Sequence, residues 1–175
     1  ELEDKIATNH GLMSDMPKIS QDDYITSYEK NNKTNQISVV DGFKISSNYV
    51  FRRLVKDNYG EDPEEFIHRL HQYNFGEAYD FDLKESGISE SKIPDPKDAG
   101  WTIYDLVSVA IGYSVKATPL QIVTFYNAIA NNGKMMKPYI VESIEHEGRV
   151  TREFKPQILN GSICSKATAD TLTRA

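Results

Sequence analysis

Four times between Ser38 and Gly133 the chain announces a helix in the same way. A short polar side chain is followed three positions on by an acid or amide, with apolar residues at helical spacing behind it: Ser38 with Asp41, Asp62 with Glu65, Thr102 with Asp105 and Thr118 with Gln121. The fullest instance is Thr118-Pro119-Leu120-Gln121, an N-cap, a proline at the first helical position and a capping-box Gln. Ile122, Val123, Tyr126, Ile129 and Ala130 follow, and Gly133 is the stop. Val39, Val40, Phe43 and Ile45 form a short helix ending near Ser46, and a second runs from about Asn48 to Asn58 with Val50, Phe51, Leu54 and Val55 on one face. Phe66, Ile67 and Leu70 line the helix after Asp62-Pro63. Ile103, Leu106, Val107 and Ala110 line the one after Thr102, which Gly112 ends. Helices must then dominate, and another is expected from Ser165.

One β signal stands against this: Tyr139–Ile144 and Arg149–Phe154 flank Glu147-Gly148 and read as a hairpin. The class is therefore mainly α within α+β. Residues 1–37 form a polar lead-in with Asn9-His10-Gly11, Met16-Pro17 and Asn31-Asn32 as breaks. It is expected to hold loops or a short extended element and no core helix. Residues 75–100, rich in Gly, Pro and acids, read as a long connection.

Leu, Ile, Val and Phe supply 42 of the 175 residues, above the roughly one-fifth below which chains stay disordered. Twenty basic against twenty-six acidic side chains leave a net charge of −6, with no clustered cationic face, which argues against a nucleic-acid partner. No apolar run approaches the roughly 18 residues of a membrane span. The one cysteine, Cys164, allows no internal disulfide and no cysteine metal cluster. The charged start without Met, and an end inside a helical pattern, read as an excerpt of a longer protein.

Candidate chemistry is sparse. His68 and His71, three apart behind Glu64 and Glu65, have a spacing that a metal could use, but nothing nominates a third ligand, so no metal and no cofactor is expected. His10 and His146 are read as facing water. Asp22-Asp23 and the acids from Glu61 to Glu65 are read as caps and solvated surface rather than paired glycosidase carboxylates. The remaining candidate is Ser46-Ser47-Asn48, at the junction of two apolar helices. In one reading it caps a helix. As a site, it holds a hydroxyl that passes protons and an amide that orients a substrate amide with one donor and one acceptor.

The segment Asp41-Gly42-Phe43-Lys44-Ile45-Ser46-Ser47-Asn48-Tyr49-Val50 resembles the second motif, Ser-x-Asn, of the penicillin-binding transpeptidases. Ala110-Ile111-Gly112-Tyr113-Ser114-Val115-Lys116-Ala117-Thr118-Pro119-Leu120-Gln121 resembles that family's "IGxGxxVTPLQ" stretch. Ala128-Ile129-Ala130-Asn131-Asn132-Gly133 and Lys137-Pro138-Tyr139-Ile140-Val141 resemble its "AxIANxGxxxKPxIV" pattern. The likeness covers residues 38–175 and is nearest the monofunctional class B enzymes of division and elongation. It departs at Ser114, where many relatives have a second glycine.

The resemblance implies the helical lobe of the transpeptidase and serine β-lactamase-like fold, with most of the central sheet missing. It makes Ser46 and Asn48 the catalytic candidates. Ser46 relays protons between neighbouring lysines, and Asn48 holds the substrate or β-lactam amide. The other family motifs are not convincingly present. Ser27-Tyr28-Glu29-Lys30 and Ser89-Glu90-Ser91-Lys92 fit Ser-x-x-Lys in letters, but both sit in polar sequence and Ser89 follows Ser46. Lys33-Thr34-Asn35 lacks the glycine of Lys-Thr-Gly.

The implied nucleophile and Lys-Thr-Gly strand then lie outside these residues, and the excerpt alone is inert. The implied partners are peptidoglycan stem peptides, β-lactams and cell-wall synthesis proteins, with self-association through apolar surface left bare. The implied location of the parent is the extracytoplasmic side of the cell membrane. Two rivals stay open: a serine β-lactamase or β-lactam sensor, which shares the Ser-x-Asn logic, and a non-catalytic helical module that binds a protein partner.

Overall fold

The computed structural model describes residues 2–77 and 91–174. The chain divides into two compact units, residues 1–67 with 94–114 and residues 68–93 with 115–175. The first holds strand β1 (Lys5–Ala7), a 3-10 turn at Asn9–Gly11, α1 (Asp23–Asn32), β2 (Gln36–Ser38), α2 (Val39–Lys44), α3 (Asn48–Tyr59) and α5 (Ile103–Val109). Helix α4 (Pro63–Gln72) begins in it and ends in the second unit. That unit also holds α6 (Pro119–Ala130), β3 (Met135–Met136), β4 (Ser143–His146), β5 (Arg149–Glu153), β6 (Ile158–Asn160) and α7 (Lys166–Arg174).

The local start signals act as their chemistry requires. Ser38 and Thr118 accept hydrogen bonds from the N–H groups of Asp41 and Gln121, Asp62 accepts from Glu65, and Thr102 and Asp105 form a capping box. The hairpin is present as β4 and β5 in antiparallel register. Glu147 and Gly148 take φ of 51° and 73°, the pair of left-handed residues that a two-residue hairpin turn demands. Two further antiparallel pairs, β1 with β2 and β3 with β6, carry no sequence signal because each strand has only two or three residues.

The lead-in departs from expectation. It contains the ten-residue α1, and Met13, Met16 and Ile25 are buried with Ile37, Tyr49, Val50 and Val107 in the core of the first unit. The reason is in the pattern: of the inward side chains of α1 only Ile25 is aliphatic, while Tyr28 and Glu29 bury polar ends, so the helix shows no apolar stripe. Helix α6 departs too. Its buried positions are Gln121, Thr124 and Ala128, while Ile122, Val123 and Tyr126 are exposed. Gln121 is committed inward because its amide donates to the carbonyls of Asn74 and Glu77, at 2.8 and 2.9 Å, while its oxygen completes the capping box.

Because Ile25 is wholly buried, Ile25→Ala is expected to destabilise the protein by about 2–5 kcal/mol in urea titration, the range for aliphatic truncation in a core. A loss below about 0.5 kcal/mol, the scale of surface substitutions, would return this segment to the surface.

Candidate active site

The turn between α2 and α3 is built by backbone geometry before any side chain is considered. The Ser46 N–H donates to the Phe43 carbonyl at 3.0 Å and the Ser47 N–H to the Gly42 carbonyl at 2.9 Å. That is a Schellman ending, which places Ser46 in the left-handed position that glycine normally fills, with φ of 55°. Holding a serine there costs about 1–2 kcal/mol. Such strain marks functional turns when the surroundings fix it. Gly42 makes the tight crossing feasible, since a Cβ at that position would lie 2.7 Å from the methyl carbons of Val50.

Ser47, the residue after the turn, is fully buried and serves as the N-cap of α3, accepting from the Val50 N–H at 3.2 Å. Its hydroxyl donates in turn to Asp22 Oδ2 at 2.8 Å, and the Tyr49 N–H reaches the same oxygen at 2.9 Å. Asp22 Oδ1 accepts from the Tyr24 N–H at 3.0 Å and so caps α1. One carboxylate thus satisfies the starts of two helices, where the positive ends of both dipoles favour a negative charge. The loop that holds it is equally constrained. The Asp22 N–H donates to the Gly11 carbonyl at 3.0 Å, and a Cβ on Gly11, at φ of 73°, would sit 2.4 Å from the Asp22 carbonyl oxygen.

The capping reading of the triplet therefore falls on its middle residue alone. Ser46 and Asn48 both lie exposed, and neither makes a side-chain hydrogen bond among the described residues. The hydroxyl and the carboxamide stay free for a ligand while Ser47 anchors the backbone between them. Arg52, one turn beyond Asn48 on α3, keeps its Nε buried without a partner among the described residues. Burial draws its guanidinium below the ordinary value, and the negative charge of Asp22 pulls it back. Asp22 is the residue that sequence reasoning under-read. Its capping role was visible, but its hold on Ser47 and Tyr49 spans 25 and 27 positions.

None of the other candidates among the described residues hydrogen-bonds to this turn. His68 Nε2 sits 3.0 Å from Gln72 Nε2, and His71 Nδ1 lies 3.2 Å from Glu77 Oε1. Exposed His10 pairs with Glu29, and His146 is also exposed. Ser27 stands mid-helix on the outward side of α1 beside exposed Tyr24, whereas an acylated serine should open a buried helix. Ser89 lies outside the described residues. Lys33 caps α1 in a left-handed conformation and Thr34 turns into β2, so Lys33-Thr34-Asn35 is the link between those elements. Ser114 takes φ of 63°, the conformation a glycine adopts there without cost.

Comparison with known proteins then decides the family. The penicillin binding protein transpeptidase domain matches residues 2–175. The chain belongs to that family. It is 32% identical over 111 residues to penicillin-binding protein PbpB of Mycolicibacterium smegmatis, covering 63% of this chain and 16% of the relative. Penicillin-binding protein A of Mycobacterium tuberculosis, solved as a ceftriaxone acyl-enzyme complex, superposes with a TM-score of 0.78 at 17% identity over 99% of this chain and 37% of its own. The D,D-transpeptidase domain of a peptidoglycan glycosyltransferase from Eggerthella lenta gives 0.72 at 23% identity, over 96% of this chain and 40% of its own. These likenesses establish the fold, the mainly helical part of the transpeptidase domain. The family match takes in the lead-in that the sequence resemblance left out.

Two outcomes follow from the local energetics. Ser46→Gly is expected to leave stability unchanged or raise it by up to about 1 kcal/mol in urea titration, because relief of the left-handed serine outweighs or balances the added chain entropy. A clear loss would mean that the turn is unstrained. Among the described residues, three carboxylates lie below their ordinary values. Asp15 is held down by Lys56, Glu29 by Thr8 and then His10, and Asp41 by Ser38 and then Tyr28. Their stabilisation is complete above the ordinary values of 3.8 for Asp and 4.5 for Glu and is lost as pH falls through the depressed ones. The urea midpoint should therefore fall below pH 4.5, and by less than in the parent in Glu29→Gln; a midpoint constant to pH 3 would contradict this.

Proposed function

We propose that this chain forms part of a peptidoglycan D,D-transpeptidase, with Ser46 and Asn48 as one wall of its acyl-transfer cleft. In that reaction a serine attacks the carbonyl of the penultimate D-Ala of a stem peptide. The carbon–nitrogen bond to the terminal D-Ala breaks, that D-Ala leaves with a proton, and the amine of a neighbouring stem peptide takes the acyl group from the serine. β-Lactams acylate the same serine; the M. tuberculosis relative is solved as a ceftriaxone acyl-enzyme complex. Ser46 relays the proton, and Asn48 orients the scissile peptide or β-lactam through its amide.

The observation that carries the reading is the exposure of these two side chains, free of internal hydrogen bonds among the described residues, on a turn held by buried neighbours in a member of this family. The chain spans about a sixth of the length of the curated relative and under half of the solved ones. The nucleophile is accordingly assigned to the rest of the protein, not to Ser27 or Ser89. Among the described residues no helix is long and apolar enough to cross a membrane. The substrate is outside the cytoplasm, so the whole enzyme works on the outer side of the cell membrane.

The test uses the full-length protein and a fluorescent penicillin. Ser46→Ala is expected to lower the acylation rate by about 10²- to 10⁴-fold, the worth of a proton-transfer group, and Asn48→Ala by at least about tenfold. Rates within about a factor of two of the parent for both variants, or label on Ser27 or Ser89, would overturn the assignment.

A further inference from the structure

The Asp22 carboxylate hydrogen-bonds to neither exposed side chain of the Ser-x-Asn turn, yet it holds residues that stand beside both of them. Ser47 stands between Ser46 and Asn48, and its buried hydroxyl is tied to Asp22 Oδ2 at 2.8 Å. Tyr49 follows Asn48, and its N–H is tied to the same oxygen at 2.9 Å. Asn48 is thus bracketed by two hydrogen bonds to one atom, from the Ser47 hydroxyl before it and the Tyr49 N–H after it, and Ser46 directly precedes the first of them. That atom belongs to a residue fixed from three further sides: the Tyr24 N–H on its other oxygen, the Gly11 carbonyl on its own N–H, and the close approach of Gly11 to its own carbonyl.

We infer that Asp22 is a positioning residue for acyl transfer, locking the strained Ser46 turn and the first turn of α3 so that the Ser46 hydroxyl and Asn48 amide are preorganised. This rests on the function proposed above. The chemistry demands an acid at this position. Oδ2 accepts two donors at once and Oδ1 a third, so the group must be acceptor-only, as an ionised carboxylate is and an amide is not. In Asp22→Asn, an NH₂ group facing the Tyr49 N–H sets donor against donor. The Ser47 hydroxyl can turn to accept from that amide, but the Tyr49 N–H is left without its acceptor. The turn then gains freedom at the two residues meant to meet substrate, and displacements near 1 Å at a reacting centre cost about a hundredfold in rate.

The test measures acylation of the full-length protein by a fluorescent penicillin, per folded molecule, well below the unfolding temperature. Asp22→Asn is expected to lower the rate by about ten- to a hundredfold while circular dichroism remains that of the folded parent. If Asp22→Asn does not fold, Ser47→Ala, which cuts the other hydrogen bond to Oδ2, carries the test and is expected to act in the same direction. The decisive arm is a cycle. In a Ser46→Ala, Asn48→Ala background, removing the Asp22 carboxylate or the Ser47 hydroxyl should cost little more, because the groups it positions are gone.

A rate per folded molecule equal to the parent's would show that Asp22 only stabilises the fold. A loss that multiplies unchanged through the doubly substituted background would show that it acts on something other than the pair. Either overturns the inference and leaves the proposed function standing. Unchanged acylation in Ser46→Ala and Asn48→Ala themselves would remove both together, which distinguishes the two failures.

Discussion

Two helices of the first unit begin at the same negative charge. Each start leaves N–H groups without intrahelical partners, and burying them unpaired would cost about 1–3 kcal/mol apiece. Asp22 accepts one from α1 and one from α3, and its hold on the Ser47 hydroxyl lets that side chain accept a further N–H of α3. The lead-in, the α2–α3 junction and the buried side of α3 are therefore one structure rather than three adjacent ones. Tyr49 extends it, its hydroxyl donating to the Ala7 carbonyl at 2.8 Å and so joining α3 to β1.

This arrangement separates two tasks that a three-residue motif would otherwise have to share. The middle residue is spent entirely on structure: it is buried, it caps, and it is hydrogen-bonded in both directions. Its neighbours are spent on none of these. A left-handed serine is a poor choice for stability at a Schellman ending, where glycine would do better. The same left-handed conformation recurs at Ser114, in the stretch of residues 110–121 that resembles the family.

What was legible in the sequence was local. The boxes at Ser38, Asp62, Thr102 and Thr118 were readable because donor and acceptor lie three residues apart, and the hairpin because Glu147-Gly148 sets its own backbone. Helix α1 was not readable, because its inward side mixes Ile25 with tyrosine and glutamate and draws its stability from distant partners, among them the Tyr28 hydroxyl donating to Asp41. The facing of α6 was misleading for a related reason. Gln121 is committed inward by its tertiary hydrogen bonds and the Phe125 ring packs on Tyr73 and Phe75, so the helix turns that side in and leaves Ile122, Val123 and Tyr126 exposed. At the site, Ser46 and Asn48 could be named from their neighbours in the chain. The anchor that fixes them could not, since it lies more than twenty positions upstream.

The central claim is that an exposed hydroxyl and carboxamide, held two positions apart by a buried anchor, face the reacting bond. A crystal structure of the full-length protein acylated by a penicillin addresses it most directly. The account requires the Asn48 side chain within about 3.2 Å of the amide of the bound drug, with the Ser46 hydroxyl opening into the same cleft and the Asp22–Ser47 hydrogen bond intact. An acyl group whose surroundings exclude both side chains, with Ser46 and Asn48 facing bulk water, would contradict it.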